Sequence, residues 1–216
     1  EENIERVVMN LIRNYPQYDY VVINDGSRDH TAQICREKGF NLIDLPINLG
    51  LAGAFQTGMK YAYKNGYTYA IQFDADGQHK PEYIAGMLER IKQGYDIVMG
   101  SRFVEKPKDG SLRMMGSRLI SGVIKLTTGA AITDPTSGMR MFAKDMIREF
   151  ALNLNYGPEP DTISYLLRNG VKICEVQVEM DERLFGESYL NLVSSIKYMA
   201  RIMISIIIVQ NFRKRR

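Results

Sequence analysis

Short runs of β-branched and aromatic residues alternate with segments of helical apolar spacing along most of this chain, and that alternation limits the fold more than any other feature. Ile4, Val7, Val8, Leu11 and Ile12 recur at helical spacing, and Pro16 closes the segment before the run Tyr20-Val21-Val22-Ile23. The same reading continues with a helix over 31–38, a strand over 41–45, a helix over 52–64, a strand over 69–73, a helix over 82–93 and a strand over 95–99. Strands separated by helices must be joined by crossovers, so the pattern predicts an α/β fold with a mostly parallel sheet flanked by helices on both faces. Beyond Gly100 the regularity loosens into a loop over 103–110, a helix over 112–127, a short strand over 139–142, and helices over 144–152 and 161–168. A strand over 171–179, a polar loop over 181–188 and a final helix from 191 follow. No repeat or long linker divides the 216 residues, so we expect one domain over 1–190 and a C-terminal helical segment over 191–216. The chain opens directly on a helical pattern, which reads as an N-terminally truncated domain whose first strand is missing.

Composition removes several kinds of chemistry. Cys35 and Cys174 lie far apart and show no metal-ligand spacing, which suits a reduced cytoplasmic setting. With only His30 and His79, a multi-histidine zinc site or a histidine triad has almost no raw material. The net charge of +3 comes from the terminal Arg213, Lys214, Arg215 and Arg216; without them 24 cations face 25 acids. A basic tail on a nearly neutral body argues against a nucleic-acid-binding face and for a local contact with something anionic. The apolar stretch over 202–209 is far shorter than a membrane-spanning helix requires.

In open α/β sheets ligands bind beyond the carboxyl ends of the strands, and here those ends are unusually polar. One run leads into Asn24-Asp25-Gly26-Ser27-Arg28-Asp29, a second into Asp74-Ala75-Asp76-Gly77-Gln78-His79, and a third into Gly100-Ser101-Arg102. Asp74 and Asp76, relaxed by Gly77, can both face a divalent cation with the Gln78 carbonyl as a third oxygen, a set that suits Mg²⁺ or Mn²⁺. The competing reading is a turn whose carboxylates cap the helix after Pro81. Asp25 can accept from a nucleobase N–H, or serve with Ser27 and Asp29 as an ordinary turn and cap. The glycines around Asn48-Leu49-Gly50 lack the G-x-G-x-x-G spacing and point to close backbone approach at a helix start.

Taken together, Asn24 to Thr31, Asn48-Leu49-Gly50, Asp74 to His79, Gly100-Ser101-Arg102-Phe103, Asp134-Pro135-Thr136-Ser137-Gly138-Met139-Arg140, and Glu175-Val176 with Arg183 and Gly186-Glu187-Ser188 resemble the family-two glycosyltransferases of GT-A fold. The resemblance is to their polyprenyl-phosphate branch, typified by dolichyl-phosphate mannose synthase, and it runs through nearly the whole chain in the family's order. Departures are the absent opening strand, Leu51 where Lys is common, Met139 in place of Phe, and Tyr189 after Ser188 where Lys is frequent.

The resemblance implies an inverting, metal-dependent transfer of a sugar from a UDP- or GDP-sugar to an undecaprenyl or dolichyl phosphate. It places Asp25 on the donor base, Asp74 on the ribose or the metal, and Asp76 with Gln78 on the cation. Arg183 and Ser188 would belong to a loop over the donor phosphates. Arg102, Arg113 and Ser117 would hold the acceptor phosphate, and Asp134 and Arg140 would lie near the reacting centre, with Arg140 on the acceptor side. A phosphate acceptor is already anionic and needs positioning more than a strong base. A hydroxyl acceptor in cell-envelope polysaccharide synthesis would need one, with Asp134, Glu159 and Asp161 as candidates.

From 194 onward Ile196, Tyr198, Met199, Ile202, Met203, Ile206 and Ile207 keep helical spacing ahead of the basic tail. This reads as an interfacial helix on an anionic membrane surface, with the protein peripheral at the inner face of the membrane. Docking on the core or on a small membrane partner subunit is the alternative. A non-catalytic scaffold of the same fold is a further reading. So is a phosphohydrolase of haloacid-dehalogenase type, which Phe73-Asp74-Ala75-Asp76-Gly77 resembles except that Gln78 stands where that motif has Thr.

Overall fold

The computed structural model of the protein describes residues 1–153, 156–181 and 192–209. In chain order it contains α1 (Ile4–Asn14), β1 (Val22–Asn24), α2 (Thr31–Glu37), β2 (Leu42–Asp44), α3 (Gly50–Lys64) and β3 (Tyr69–Gln72). A 3-10 turn at Pro81–Tyr83 then leads into α4 (Ile84–Ile91), followed by β4 (Ile97–Ser101), α5 (Leu112–Thr128), β5 (Arg140–Ala143), α6 (Lys144–Leu152), α7 (Pro160–Arg168) and β6 (Ile173–Gln177). The last helix, α8 (Leu192–Ile204), continues into a π turn at Ser205–Val209. Local chemistry sets several of these limits. Ser111 caps α5 by accepting the Met114 N–H, Gly129 ends it in the left-handed conformation at φ 76°, and Pro160 opens α7 where a missing N–H costs nothing.

The strands form two ladders. β1 and β2 pair in parallel, with Val22 opposite Leu42 and Asn24 opposite Asp44. The larger sheet has the order β3-β5-β4-β6. The mostly parallel sheet expected from the sequence is present with one strand reversed: β5 runs antiparallel between β3 and β4, while β6 is parallel to β4. The reversal has a consequence for the site. Arg140, the first residue of β5, is level with Gln72 and Met99, near the carboxyl ends of β3 and β4, and Gln177 at the end of β6 is level with Ser101. The segments following β3, β4 and β6, and the one preceding β5, therefore all leave the sheet at one edge.

Alternation along the strands sorts the core onto two faces. Ile97 and Met99 of β4 and Phe142 of β5 pack with Phe55, Ile120, Ile124, Phe150, Ile163 and Ile202 of α3, α5, α6, α7 and α8. Val98 and Met141 face the other way, onto Ile84, Met87 and Ile91 of α4. A third cluster, Ile4, Val8, Cys35 and Phe40, fixes α1 and α2 beside β1 and β2. The helix expected to lie on a membrane is docked on this core through one face. Ile202 and Ile206 are buried, Met199 lies against Gly116 of α5, Arg201 donates to Glu159 at 2.8 Å, and Ser205 donates to Asp161 at 2.7 Å. Its other face leaves Ile204, Ile207, Ile208 and Val209 exposed. Among the described residues no helix is long and apolar enough to cross a membrane.

Phe55, Phe142 and Phe150 hold the centre of the larger core with ring centroids 5.0–5.5 Å apart. Phe142→Ala should lower unfolding free energy by about 3–5 kcal/mol, because the surrounding rings cannot collapse fully into the void. Urea denaturation should show the change in midpoint with little change in slope.

Candidate active site

The turn after β3 is built around His79. The Asp74 backbone N–H donates to His79 Nδ1 at 2.8 Å, so the neutral ring carries its proton on Nε2, which lies 3.9 Å from Asp74 Oδ2. The ring is buried, edge-on to Phe73 at 5.3 Å, and burial pushes its pKa down against the opposing charges of Asp74 and Asp76. Asp76 Oδ1 accepts the Gln78 N–H at 3.0 Å, and Gly77 takes φ 86°, a conformation that favours glycine. Gly138 closes the wall opposite, since a Cβ there would come within 2.6 Å of Asp74 Oδ2. Sequence reasoning quoted His79 within the motif but gave it no role. Its position directly after Gln78, as one of two histidines, was the available signal.

Asp74 and Asp76 fit a divalent cation of Mg²⁺ or Mn²⁺ type. Both are hard oxygen donors on one turn, Asp74 is partly exposed, and such ions complete their shells with phosphate oxygens and water. No group of three or more His, Cys, Asp or Glu residues gathers among the described residues, so a cation on Asp74 and Asp76 would take most of its shell from phosphate oxygens and water. The Gln78 carbonyl, expected as a third ligand, instead accepts the Asp181 N–H at 3.0 Å, and the Gln78 side chain donates to the Asp181 carbonyl at 3.3 Å. Lys80 pairs with the Asp181 carboxylate at 3.0 Å. The turn is thereby stapled to the end of the segment leaving β6.

Beside it, Arg102 at the end of β4 grips Asp134 in two-pronged fashion, Nε to Oδ2 at 2.8 Å and Nη2 to Oδ1 at 3.0 Å. Asp134 is fully buried and accepts also from Thr136 Oγ1 at 3.2 Å. Glu175 of β6 holds the preceding backbone, taking the Thr133 and Asp134 N–H groups at 2.7 Å each and the Thr133 hydroxyl at 2.9 Å. With its oxygens committed in this way, Asp134 orients Arg102 and is poorly placed to act as a base.

Arg140 was expected against an acceptor, and the structure corrects this. Its side chain is buried and donates to the carbonyls of Ser137 at 2.8 Å, Pro135 at 2.8 Å, and Pro158. Burial pushes its pKa down to about 10, which leaves it a cation at neutral pH. It is therefore a positioning residue that shapes the 134–138 loop. Glu159 and Asp161, the candidate bases for a hydroxyl acceptor, are likewise engaged by Arg201 and Ser205 of the C-terminal helix.

The remaining expected residues are placed as follows. Asp25 sits at the end of β1, on the smaller ladder, where its carboxylate accepts the Leu49 N–H at 2.7 Å and its carbonyl accepts from Asn48 at 2.9 Å. Ser117 is buried on α5, and its hydroxyl accepts from Lys108 at 2.8 Å. Arg113 lies in the first turn of α5, with its side chain outside the described residues, as are Arg183, Ser188 and the tail over 213–216. The structure thus joins Asp74, Asp76, Arg102 and Asp134 at one rim, with Glu175, Arg140 and His79 supporting them.

A rim of two carboxylates and a fixed arginine at the strand ends of an α/β sheet suits substrates that carry phosphate groups. Residues 1–150 match the family model for glycosyl transferase family 2. The chain belongs to that family and is a glycosyltransferase. Over 205 residues it is 29% identical to the UDP-N-acetylglucosamine–dolichyl-phosphate N-acetylglucosaminyltransferase of Methanococcus voltae, covering 82% of this chain and 81% of that protein. Over 185 residues it is 30% identical to the undecaprenyl-phosphate mannosyltransferase of Micrococcus luteus, covering 80% and 76%. Among solved structures, glucosyl-3-phosphoglycerate synthase from Mycobacterium tuberculosis, in complex with Mn²⁺, UDP and phosphoglyceric acid, superposes with a TM-score of 0.70 at 16% identity, covering 97% of this chain and 74% of that one. That likeness shows the GT-A fold.

Arg140→Met should cost at least about 2 kcal/mol of stability, because it keeps the volume but leaves three carbonyls short of a donor at about 1–3 kcal/mol each, partly offset by removing a buried charge. Comparison of urea midpoints for wild type, Arg140→Met and Arg140→Lys checks this. A lysine lacks the planar fork and should recover only part of the loss.

Proposed function

We propose that the protein transfers a sugar, with inversion, from a nucleoside diphosphate sugar to the phosphate of a polyprenyl phosphate of undecaprenyl or dolichyl type. The observation that carries this reading is the engagement of every carboxylate considered as a base. Asp134 is held by Arg102, Glu159 by Arg201, and Asp161 by Ser205. A hydroxyl nucleophile would call for a base with an oxygen to spare, whereas a phosphate arrives ionised. The lipid phosphates in the names of the relatives support the same choice. The phosphohydrolase reading gives way to the family match.

In this mechanism an acceptor phosphate oxygen attacks the anomeric carbon as the bond from that carbon to the leaving diphosphate breaks, so one C–O bond forms and one is lost. Arg102, with Arg113 and Ser117, holds the acceptor phosphate in line, and Asp134 fixes the Arg102 guanidinium for that task. Asp25 recognises the base of a UDP- or GDP-sugar, and Arg183 and Ser188 contact the donor phosphates. Asp74 and Asp76 would hold Mg²⁺ or Mn²⁺, which when bound offsets the charge developing on the diphosphate. The 1–190 domain carries this chemistry. The segment over 191–216 meets the inner face of the membrane through the exposed Ile204, Ile207 and Ile208 and the basic tail. Of the two partners open to that segment, the membrane surface agrees better with a lipid acceptor than a protein subunit does.

The direct test is transfer from a panel of UDP- and GDP-sugars to a short polyprenyl phosphate and to the matching polyprenol, with Mn²⁺. Product should form only on the phosphate. Transfer to the alcohol alone would overturn the reading. In calorimetry, Asp76→Ala should remove the Mn²⁺-dependent part of nucleoside diphosphate affinity, about tenfold or more. His79→Asn should keep that affinity, since an Asn oxygen can take the Asp74 N–H in place of Nδ1, while His79→Gln and His79→Ala should lose it.

A further inference from the structure

Residues two apart on a strand share a face, so Glu175 and Gln177 of β6 project to the same side. β6 runs parallel to β4, with Glu175 level with Met99 and Gln177 level with Ser101. This face of β6 therefore lies beside the point at which the chain leaves β4 and enters Arg102. The Val178 N–H donates to the Ser101 carbonyl at 2.9 Å and extends the ladder to that point.

The Gln177 amide works at both ends. Its Nε2 donates to the Arg102 carbonyl at 3.1 Å and to the Val178 carbonyl at 3.0 Å, and its Oε1 accepts the Glu105 N–H at 2.9 Å. Two carbonyls on one side and an N–H on the other fix which way the amide points, and both of its protons are used. The Arg102–Phe103 peptide is held from its other side as well, because the Phe103 N–H donates to Ser101 Oγ at 3.2 Å. Ser101 is fully buried, and its hydroxyl lies 2.7 Å from Thr133 Oγ1. The Thr133 hydroxyl spends its proton on Glu175 Oε2 at 2.9 Å, so Ser101 is the donor to Thr133. β6 thus reaches one peptide plane by two routes, directly through Gln177 and from Glu175 through Thr133 and Ser101.

A peptide plane fixed at its C=O and its N–H sets the backbone torsions on either side, and with them the direction in which the Arg102 side chain leaves the chain. The guanidinium can grip Asp134 with both prongs only from one such direction. Glu175 fixes the carboxylate partner and Gln177 fixes the arginine's own backbone. The next contact along, between Lys106 and Glu179, joins two exposed side chains and adds little. We propose that Gln177 is a positioning residue of the transfer, which holds the Arg102 backbone so that the guanidinium meets the acceptor phosphate in line. The acceptor part rests on the function proposed above; the hold of Gln177 on Arg102 does not. A glutamine suits the task because one side chain must give a proton to Arg102 and take one from Glu105.

Q177E and Q177M separate the two ends of the amide. Q177E keeps an acceptor for the Glu105 N–H and loses the donor to Arg102, whereas Q177M keeps the volume, removes both contacts and adds no charge. The Arg102 Nε–H is followed by proton–nitrogen NMR, its signal assigned by its loss in R102K. Bonded to a buried carboxylate, this proton should exchange slowly with solvent in wild type and at least about fivefold faster in both variants. The thermal midpoint should fall by no more than about 4 °C, the shift expected for one lost hydrogen bond. In transfer from a UDP- or GDP-sugar to farnesyl phosphate with Mn²⁺, both variants should raise the KM for farnesyl phosphate about tenfold and leave the KM for the donor unchanged. An unchanged Nε–H signal in both variants overturns the proposal, whether or not transfer proceeds. So does a Q177E that matches wild type, since the Glu105 contact alone would then matter, and so does an unchanged KM for farnesyl phosphate in both variants. If wild type transfers no sugar to farnesyl phosphate while the Nε–H responds in both variants, the acceptor reading fails and the hold of Gln177 on Arg102 stands.

Discussion

A guanidinium can be buried only where its donors meet acceptors, and Arg140 meets this condition with carbonyls alone. By donating to Pro135, Ser137 and Pro158 it draws the loop before β5 and the approach to α7 onto the first residue of a central strand. Much of the rim is referred to that point. Arg140 is level with Gln72 and Met99, so the loop it shapes lies beside the turn after β3 and the segment after β4. Gly138 then packs on the Asp74 carboxylate, and Asp134 meets Arg102. An arginine that faces inward can thus shape the rim through the backbone of one loop.

The supporting groups follow one pattern. Three residues of the rim are held by others: His79 accepts from the Asp74 N–H, Glu175 accepts from the Asp134 N–H, and Asp134 holds Arg102. Buried polar networks of this kind are costly when half satisfied and rigid when complete. Rigidity is what a transfer to an ionised acceptor needs, because its rate depends on alignment and charge more than on proton removal. The same economy explains why Glu159 and Asp161 serve as attachment points for the last helix.

That helix and α5 give the protein a second character. α8 is fixed by Arg201, Ser205 and the buried Ile202 and Ile206, yet it keeps an apolar face outward, and α5 exposes Met115, Leu119 and Leu126. Both helices therefore present exposed apolar side chains outside the core.

Much of this was legible in the sequence because it depends on local rules. The spacing of Ile4, Val7 and Val8, the run Lys144–Leu152 and the polar residues after Gln72 and Ser101 announce helices, strands and a rim wherever the rest of the chain lies. The family motifs Asp74 to His79 and Asp134 to Arg140 could be read for the same reason. Periodicity gives the face of a strand but not its direction, so the direction of β5 is known only from its register with Gln72 and Met99. Residue type likewise gives the charge of a side chain but not its partner. Whether Arg140 turns to a ligand or to carbonyls, whether Glu159 is a base or an anchor, and whether Gln177 reaches the Arg102 carbonyl are set by groups far away in the chain. Only the tertiary fold decides them, because desolvation and hydrogen bonding depend on which distant atoms are brought close.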